Sequence, residues 1–223
     1  LSSHFRPVSH YFRQNFSQVT NPPIDSLREN KVMSLKTRFG NLGNILDFDN
    51  LTEENIYVLD SPILTNSQFK KFKKFFSKKV RVIDCTFNIE ESLKERIELI
   101  REEAETAVRE GSTCLILSDK NITNQKASIP SILTVGAVHS HLVKHGLRGY
   151  CSLNVECSDA MDTHSFAILI GVGATTVNPY LAIDSIYQRY EKKLFGKSDF
   201  ETCVSRFKKS IDAGLLKIMS KMG

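Results

Sequence analysis

Ile129-Pro-Ser-Ile-Leu-Thr-Val-Gly-Ala-Val-His-Ser-His-Leu-Val-Lys-His-Gly-Leu-Arg-Gly-Tyr150, running on into Cys151-Ser-Leu-Asn-Val155, decides the fold class of this 223-residue chain. Pro130 stands where a helix begins, because its ring presets a helical φ and its missing N–H is one that a first turn leaves unbonded anyway. Ile132, Leu133, Val135, Ala137, Val138, Leu142 and Val143 recur at helical spacing, and Gly146 supplies the stop. Residues 151–155 then read as a strand. The same grammar repeats in a helix-like run over 164–170, closed by Gly171 and Gly173, and a short strand at Thr175-Thr-Val177 stopped by Asn178-Pro179. Strands alternating with helices predict an α/β fold with a mainly parallel sheet of successive βα units. Its crossovers should be right-handed and its functional edge should lie at the carboxyl ends of the strands.

Towards the amino terminus the pattern continues. Thr113-Cys-Leu-Ile-Leu117 has the unbroken apolar character of a strand covered on both faces. Before it, Leu93, Ile97, Ile100, Ala104, Ala107 and Val108 place a helix over about 90–110 with Gly111 as its stop. Val80-Arg-Val-Ile83 and Ile56-Tyr-Val-Leu59 are further strands, and Asn66 or Ser67 is the expected cap of a lysine-rich helix between them. In that helix Phe69, Phe72, Phe75 and Phe76 form one stripe, leaving Lys70, Lys71, Lys73, Lys74, Lys78 and Lys79 as a solvated face rather than a phosphate-binding surface.

Residues 1–50 read as an irregular helical arm that packs on the body, and 51–213 as the α/β domain itself. In the arm, an amphipathic helix over 11–25 is broken at Asn21-Pro22-Pro23, after which Asp25 or Ser26 caps a short helix through Leu27, Val32 and Leu35. Helical segments are expected over 181–193 and from 199 onwards, with 214–223 as the start of a linker.

Composition bounds the partners. A chain that is 41% hydrophobic has enough apolar residues for a sizeable core. It contains no 18-residue apolar run and no leader pattern, which leaves membrane insertion and secretion without support. Five scattered cysteines (Cys85, Cys114, Cys151, Cys157, Cys203) with no C-x-x-C pair argue against disulfides, a zinc site or an iron–sulfur cluster and for a reducing compartment, the cytoplasm or a plastid. The net charge of +5 comes with no nucleic-acid motif.

Candidate chemistry is sparse. His141 and His145, four apart near His139, share a helical face that could chelate, but no carboxylate lies between them and no third ligand is apparent, so no metal site is assigned. Cys157 and His164 do not form a convincing nucleophile–base pair, and Gly171-x-Gly173 fits a tight turn better than a phosphate loop. Ser118, Asp119, Glu156 and Asn178 gather at strand ends, where an independent small-ligand-binding module would keep its site, although Asp119 also suits a turn.

Several strings together resemble a known family: Gln18-Val-Thr-Asn-Pro-Pro-Ile-Asp25 after Tyr11-Phe-Arg-Gln14, Ser131-Ile-Leu-Thr-Val-Gly-Ala-Val-His139, Val155-Glu156 with His164-Ser-Phe166, and Gly171-Val-Gly-Ala-Thr-Thr-Val-Asn-Pro-Tyr-Leu-Ala182. In family order, they resemble the central domain of the glutamate synthase large subunit, ferredoxin- or NAD(P)H-dependent. The chain departs from the family's usual pattern at Ser165, where a second His is common, and at Ser158-Asp-Ala-Met161, where the family carries Gly-Glu-Ala-Arg. The resemblance implies an oxidoreductase with an amidotransferase domain, this central domain, and a barrel holding FMN and an iron–sulfur cluster. Electrons would come from ferredoxin or an electron-donating subunit. It further implies that this piece is inactive alone, holds its neighbour domains together and helps enclose an ammonia route. Met219, Ser220, Lys221 and Met222 are the cofactor-facing candidates, since they match the family's approach to the FMN barrel; no catalytic residue is assigned.

Overall fold

The computed structural model describes residues 6–12, 24–39 and 56–222. Of the helix expected over 11–25, residues 13–23 lie outside these residues, as does most of the Gln18-to-Asp25 string. The expected start of that helix is not helical, since a 3-10 turn over Val8–Tyr11 ends at an extended Phe12. In chain order the first elements are α1 (Ser26–Val32), β1 (Thr37–Phe39), β2 (Tyr57–Leu59), α2 (Asn66–Phe76), β3 (Val80–Asp84), β4 (Thr86–Asn88) and α3 (Leu93–Arg109). They are followed by β5 (Cys114–Ser118), β6 (Lys126–Ser128), α4 (Ser131–Lys144), β7 (Ser152–Glu156), α5 (Thr163–Gly171), β8 (Thr176–Asn178), α6 (Tyr180–Glu191) and α7 (Phe200–Met222).

The expected parallel sheet is present, with four strands in the order β3-β5-β7-β8. Its register aligns Ile83, Leu117, Val155 and Val177 in one row across the sheet. All four are buried, together with Ile100 and Ala104 of α3, Val135, Val138 and Leu142 of α4 and Phe166 of α5, in a single cluster. The three crossovers step in the same direction, so one handedness puts α3, α4 and α5 on one face.

Residues 62–64 extend the sheet beyond β8, with Leu64 N–H donating to Val177 O and Val177 N–H to Pro62 O, each at 2.9 Å. From that edge the chain must return across the sheet to β3. A right-handed crossover running the opposite way lands on the opposite face, which is where α2 lies. There Phe69 and Phe72 pack on Cys114 and Ile116, with Leu64, Leu59 and Phe39 completing a second cluster. β5 is therefore buried at all five positions, as its unbroken apolar run predicts.

Some local expectations shift. Thr65 rather than Asn66 or Ser67 caps α2: its Oγ1 accepts from Gln68 N, and Gln68 Oε1 accepts from Thr65 N, a reciprocal box that neither neighbour offers. The strand at 56–59 pairs antiparallel with β1, outside the parallel sheet. The long helix begins at Leu93 with Ser92 as its cap, because Glu91 is tied back to Asn88. Asp25 caps α1 as expected, accepting from Leu27 N and Arg28 N at 3.0 Å. Val8 and Leu35 of the arm pack against the main cluster, and Glu29 accepts hydrogen bonds from Lys217 Nζ at 3.0 Å and Ser220 Oγ at 2.9 Å.

α7 runs unbroken through residue 213, and Gly214 is where it approaches α5. A Cβ there would sit 2.5 Å from Thr163 Cγ2 and 2.8 Å from Thr163 Oγ1. Gly214→Ala gains about 1 kcal/mol of helix propensity but overpacks a β-branched neighbour at about 1–3 kcal/mol. The net expectation is a loss of about 1 kcal/mol, read as a lower urea midpoint at unchanged slope. A raised midpoint would show that Thr163 moves aside freely.

Candidate functional site

Next to the apolar row, the last sheet positions facing α2 form a polar one: Asp84, Ser118, Glu156 and Asn178 are in register across four strands. Glu156 is 5% exposed. Its Oε2 accepts from Ser118 Oγ at 2.7 Å and lies 3.5 Å from Lys73 Nζ of α2, while Lys120 Nζ is 3.5 Å from Oε1. A carboxylate this buried needs such partners, since desolvation alone would disfavour its charge. Asn178 turns the other way, donating to Leu64 O at 2.9 Å and Asn66 Oδ1 at 3.0 Å. Deeper in the sheet, Asn154 donates to Leu115 O at 3.1 Å and accepts from Thr176 Oγ1 at 2.7 Å. The strand-end residues thus come together, but largely to bond one another.

Asp119 is 3% exposed. Its Oδ2 accepts from Ser158 N at 2.9 Å and Ser158 Oγ at 2.6 Å, which ties the loop after β5 to the loop after β7. Its Oδ1 is buried without a hydrogen-bond partner within 3.5 Å, although the Tyr180 hydroxyl is near enough to affect its titration. Burial pushes the Asp119 carboxyl above the ordinary aspartate range, against the lowering effect of Ser158. An acid raised by folding costs stability where it is ionised, and that cost disappears as pH falls through the raised value. Asp119→Asn keeps an acceptor for Ser158 and removes the buried charge. It also places an amide donor at the buried Oδ1 position, which offsets the gain. The expected result is a variant whose stability relative to the parent falls as pH drops through the raised value and the parent loses its buried charge. A stability difference that does not change with pH would contradict a raised Asp119.

Cys157 is 1% exposed and burial raises its thiol well above the usual range, while the exposed His164 ring lies 3.0 Å from Ser9 O. The nucleophile–base reading is thereby excluded. His139 accepts from Arg148 Nε at 3.1 Å, and Arg148 also donates to Cys151 O at 2.6 Å and Gly173 O at 2.9 Å, so it braces the turn into β8. Desolvation and the neighbouring guanidinium lower the His139 pKa.

The expected absence of a third ligand near His141 and His145 is corrected. Glu105, thirty-six residues earlier on α3, places Oε2 2.6 Å from His141 Nε2. No local sequence signal pairs it with the histidines; only the packing of α3 on α4 brings it there.

Met219, Ser220, Lys221 and Met222 form the last turn of α7. Met219 and Met222 are exposed, while Ser220 is buried and committed to Glu29. The one hydroxyl among them is thus already bonded to the arm. Among the described residues, Glu105, His141 and His145 are the group that brings three metal-ligating side chains together. A cavity of about 400 Å³ lies between α6 and α7, lined among others by Ile186, Phe195, Phe207, Arg189 and Arg206, and shares no residue with the strand-end cluster. Among the described residues no helix is long and apolar enough to cross a membrane.

Comparison with known proteins bears on these features. The family described as the glutamate synthase central domain matches residues 1–223. The NADPH-type glutamate synthase large chain of Azospirillum brasilense is 52% identical over 226 residues, covering 100% of this chain and 15% of that protein. The ferredoxin-dependent glutamate synthase of Pyropia yezoensis is 40% identical, over 96% of this chain and 15% of that protein. The NADPH-type large chain of Bacillus subtilis is 40% identical, over 100% and 14%. The chain thus spans about 15% of the length of these relatives.

Proposed function

Since the chain belongs to the glutamate synthase central-domain family, we propose that it serves as the rigid middle of such an enzyme, making glutamate from glutamine and 2-oxoglutarate, and performs no turnover alone. The observation that carries this reading is a match over the whole chain to proteins of which it is 15%.

In that enzyme the body holds the amidotransferase and FMN-barrel domains at fixed separation and helps wall off the ammonia route from bulk water, where ammonia would be protonated and diluted. FMN and an iron–sulfur cluster supply the electron transfer when bound elsewhere in the polypeptide. Electrons arrive from ferredoxin or a partner subunit, in the cytoplasm or a plastid. The exposed Met219 and Met222, with Lys221, meet the flavin-carrying domain, and Ser220 fastens the arm to the helix that leads there.

The test is coupling in the large chain. Gly173→Ala, which disturbs the turn into β8, is expected to let glutamine consumption exceed 2-oxoglutarate consumption, with the difference recovered as free ammonium. Tight coupling in a variant whose body has measurably loosened would contradict the reading.

An independent small-ligand module is favoured by one feature, the orphaned Asp119 Oδ1. Millimolar keto acids, amino acids or nucleotides that leave the thermal midpoint unmoved would remove it.

A further inference from the structure

We propose that Glu105, His141 and His145 bind one divalent transition-metal ion of borderline softness, of the Zn2+ class, bridging α3 to α4. One ligand atom from each lies within 4.8 Å of the others. Metal bonds of about 2.0–2.2 Å place neighbouring ligand atoms about 3.4 Å apart, so modest side-chain rotations close the set.

The surroundings aim these groups. Arg109 Nε and Nη2 both hold Glu105 Oε1, at 2.8 and 2.7 Å, which leaves Oε2 facing the imidazoles, 2.6 Å from His141 Nε2 and 3.9 Å from His145 Nδ1. His145 Nδ1–H donates to His141 O at 2.8 Å, so the Nε2 lone pair is free. A backbone carbonyl fixing one ring nitrogen while the other ligates is a common arrangement around bound metal. The two rings are 4.2 Å apart between centroids, and His145 is about a third exposed, giving an entry path and room for a water in the fourth position.

One rearrangement is required. Arg101 Nε–H lies 3.4 Å from His141 Nδ1, which makes Nδ1 the acceptor and puts the proton on Nε2, where it donates to Glu105. On binding, Nε2 gives its proton to solvent and Nδ1 takes one up, with no net change. Arg101 then swings to Glu98 Oε1, which its Nη1 already reaches at 2.8 Å. Two imidazole nitrogens in a three-ligand set select against Mg2+ and Ca2+, which require oxygen.

Zn2+ titrated against a chromophoric chelator tests the site, using the chelator-stripped chain with Cys203→Ser to remove the partly exposed thiol. The expected result is saturation at one ion per chain, with His145→Ala and Glu105→Gln each weakening binding by about tenfold or more and His164→Ala leaving it unchanged. Circular dichroism confirms that the variants fold, and Co2+ in place of Zn2+ should give the visible bands of nitrogen and oxygen ligation. No saturable binding, full affinity in either variant, or a thiolate charge-transfer band would overturn the assignment.

Discussion

Phe72→Ala is expected to lower the unfolding free energy by about 3–5 kcal/mol. The Phe72 ring is fully buried and lies at the centre of the smaller core cluster. Its centroid is 5.0 Å from that of Phe39, 5.7 Å from Tyr57, 4.9 Å from Phe76 and 6.3 Å from Phe69. Those rings come from β1, β2 and α2, so one side chain joins the antiparallel pair to the sheet through the helix. Collapse around the cavity would need three elements to move at once, which places the cost towards the upper end of the range. Phe75, one turn-step away and 47% exposed, is the control. Its replacement by alanine should cost about 1 kcal/mol or less. Urea unfolding of both variants makes the comparison, and equal midpoints would show that α2 is not anchored through its buried stripe.

Gly173→Ala should have the second large effect, about 3 kcal/mol. Gly173 has φ +122°, a region L side chains avoid, and a Cβ there would come within 2.6 Å of His139 Cγ. Backbone strain of about 1–3 kcal/mol adds to an overpacking cost of similar size. His139 has little freedom to retreat, because Arg148 holds its ring while bonding Cys151 O and Gly173 O. The Gly171→Ala variant is the comparison: its Cβ meets nothing within 4 Å. Calorimetry of the pair should show a large loss in one and a small change in the other; similar losses would show that neither the positive φ nor the contact with His139 sets the cost.

Much of the body was legible because its signals are local. Pro130 and Gly146 bracket α4, the phenylalanine stripe defines α2, and the apolar run of β5 announces cover on both faces. What escaped depends on long-range packing. Three-residue strands such as β1 and β2 carry too little periodicity to reveal a partner. The bridge from Ile63 to Val177 joins segments more than a hundred residues apart. Gathering at Ser118 and Glu156 was readable from strand-end positions, whereas the tie from Asp119 to Ser158 required knowing how two loops meet. The glutamate beside His141 was hidden for the same reason: only helix packing sets which residue of α3 faces α4.

The central claim, a family domain with no turnover of its own, is tested most directly by incubating the 223-residue chain with FMN, passing it through gel filtration and assaying the protein peak for flavin and for glutaminase activity. The account predicts a peak free of flavin absorbance that leaves glutamine intact. Flavin retained at one per chain, or glutamate released from glutamine by the pure chain, would contradict it.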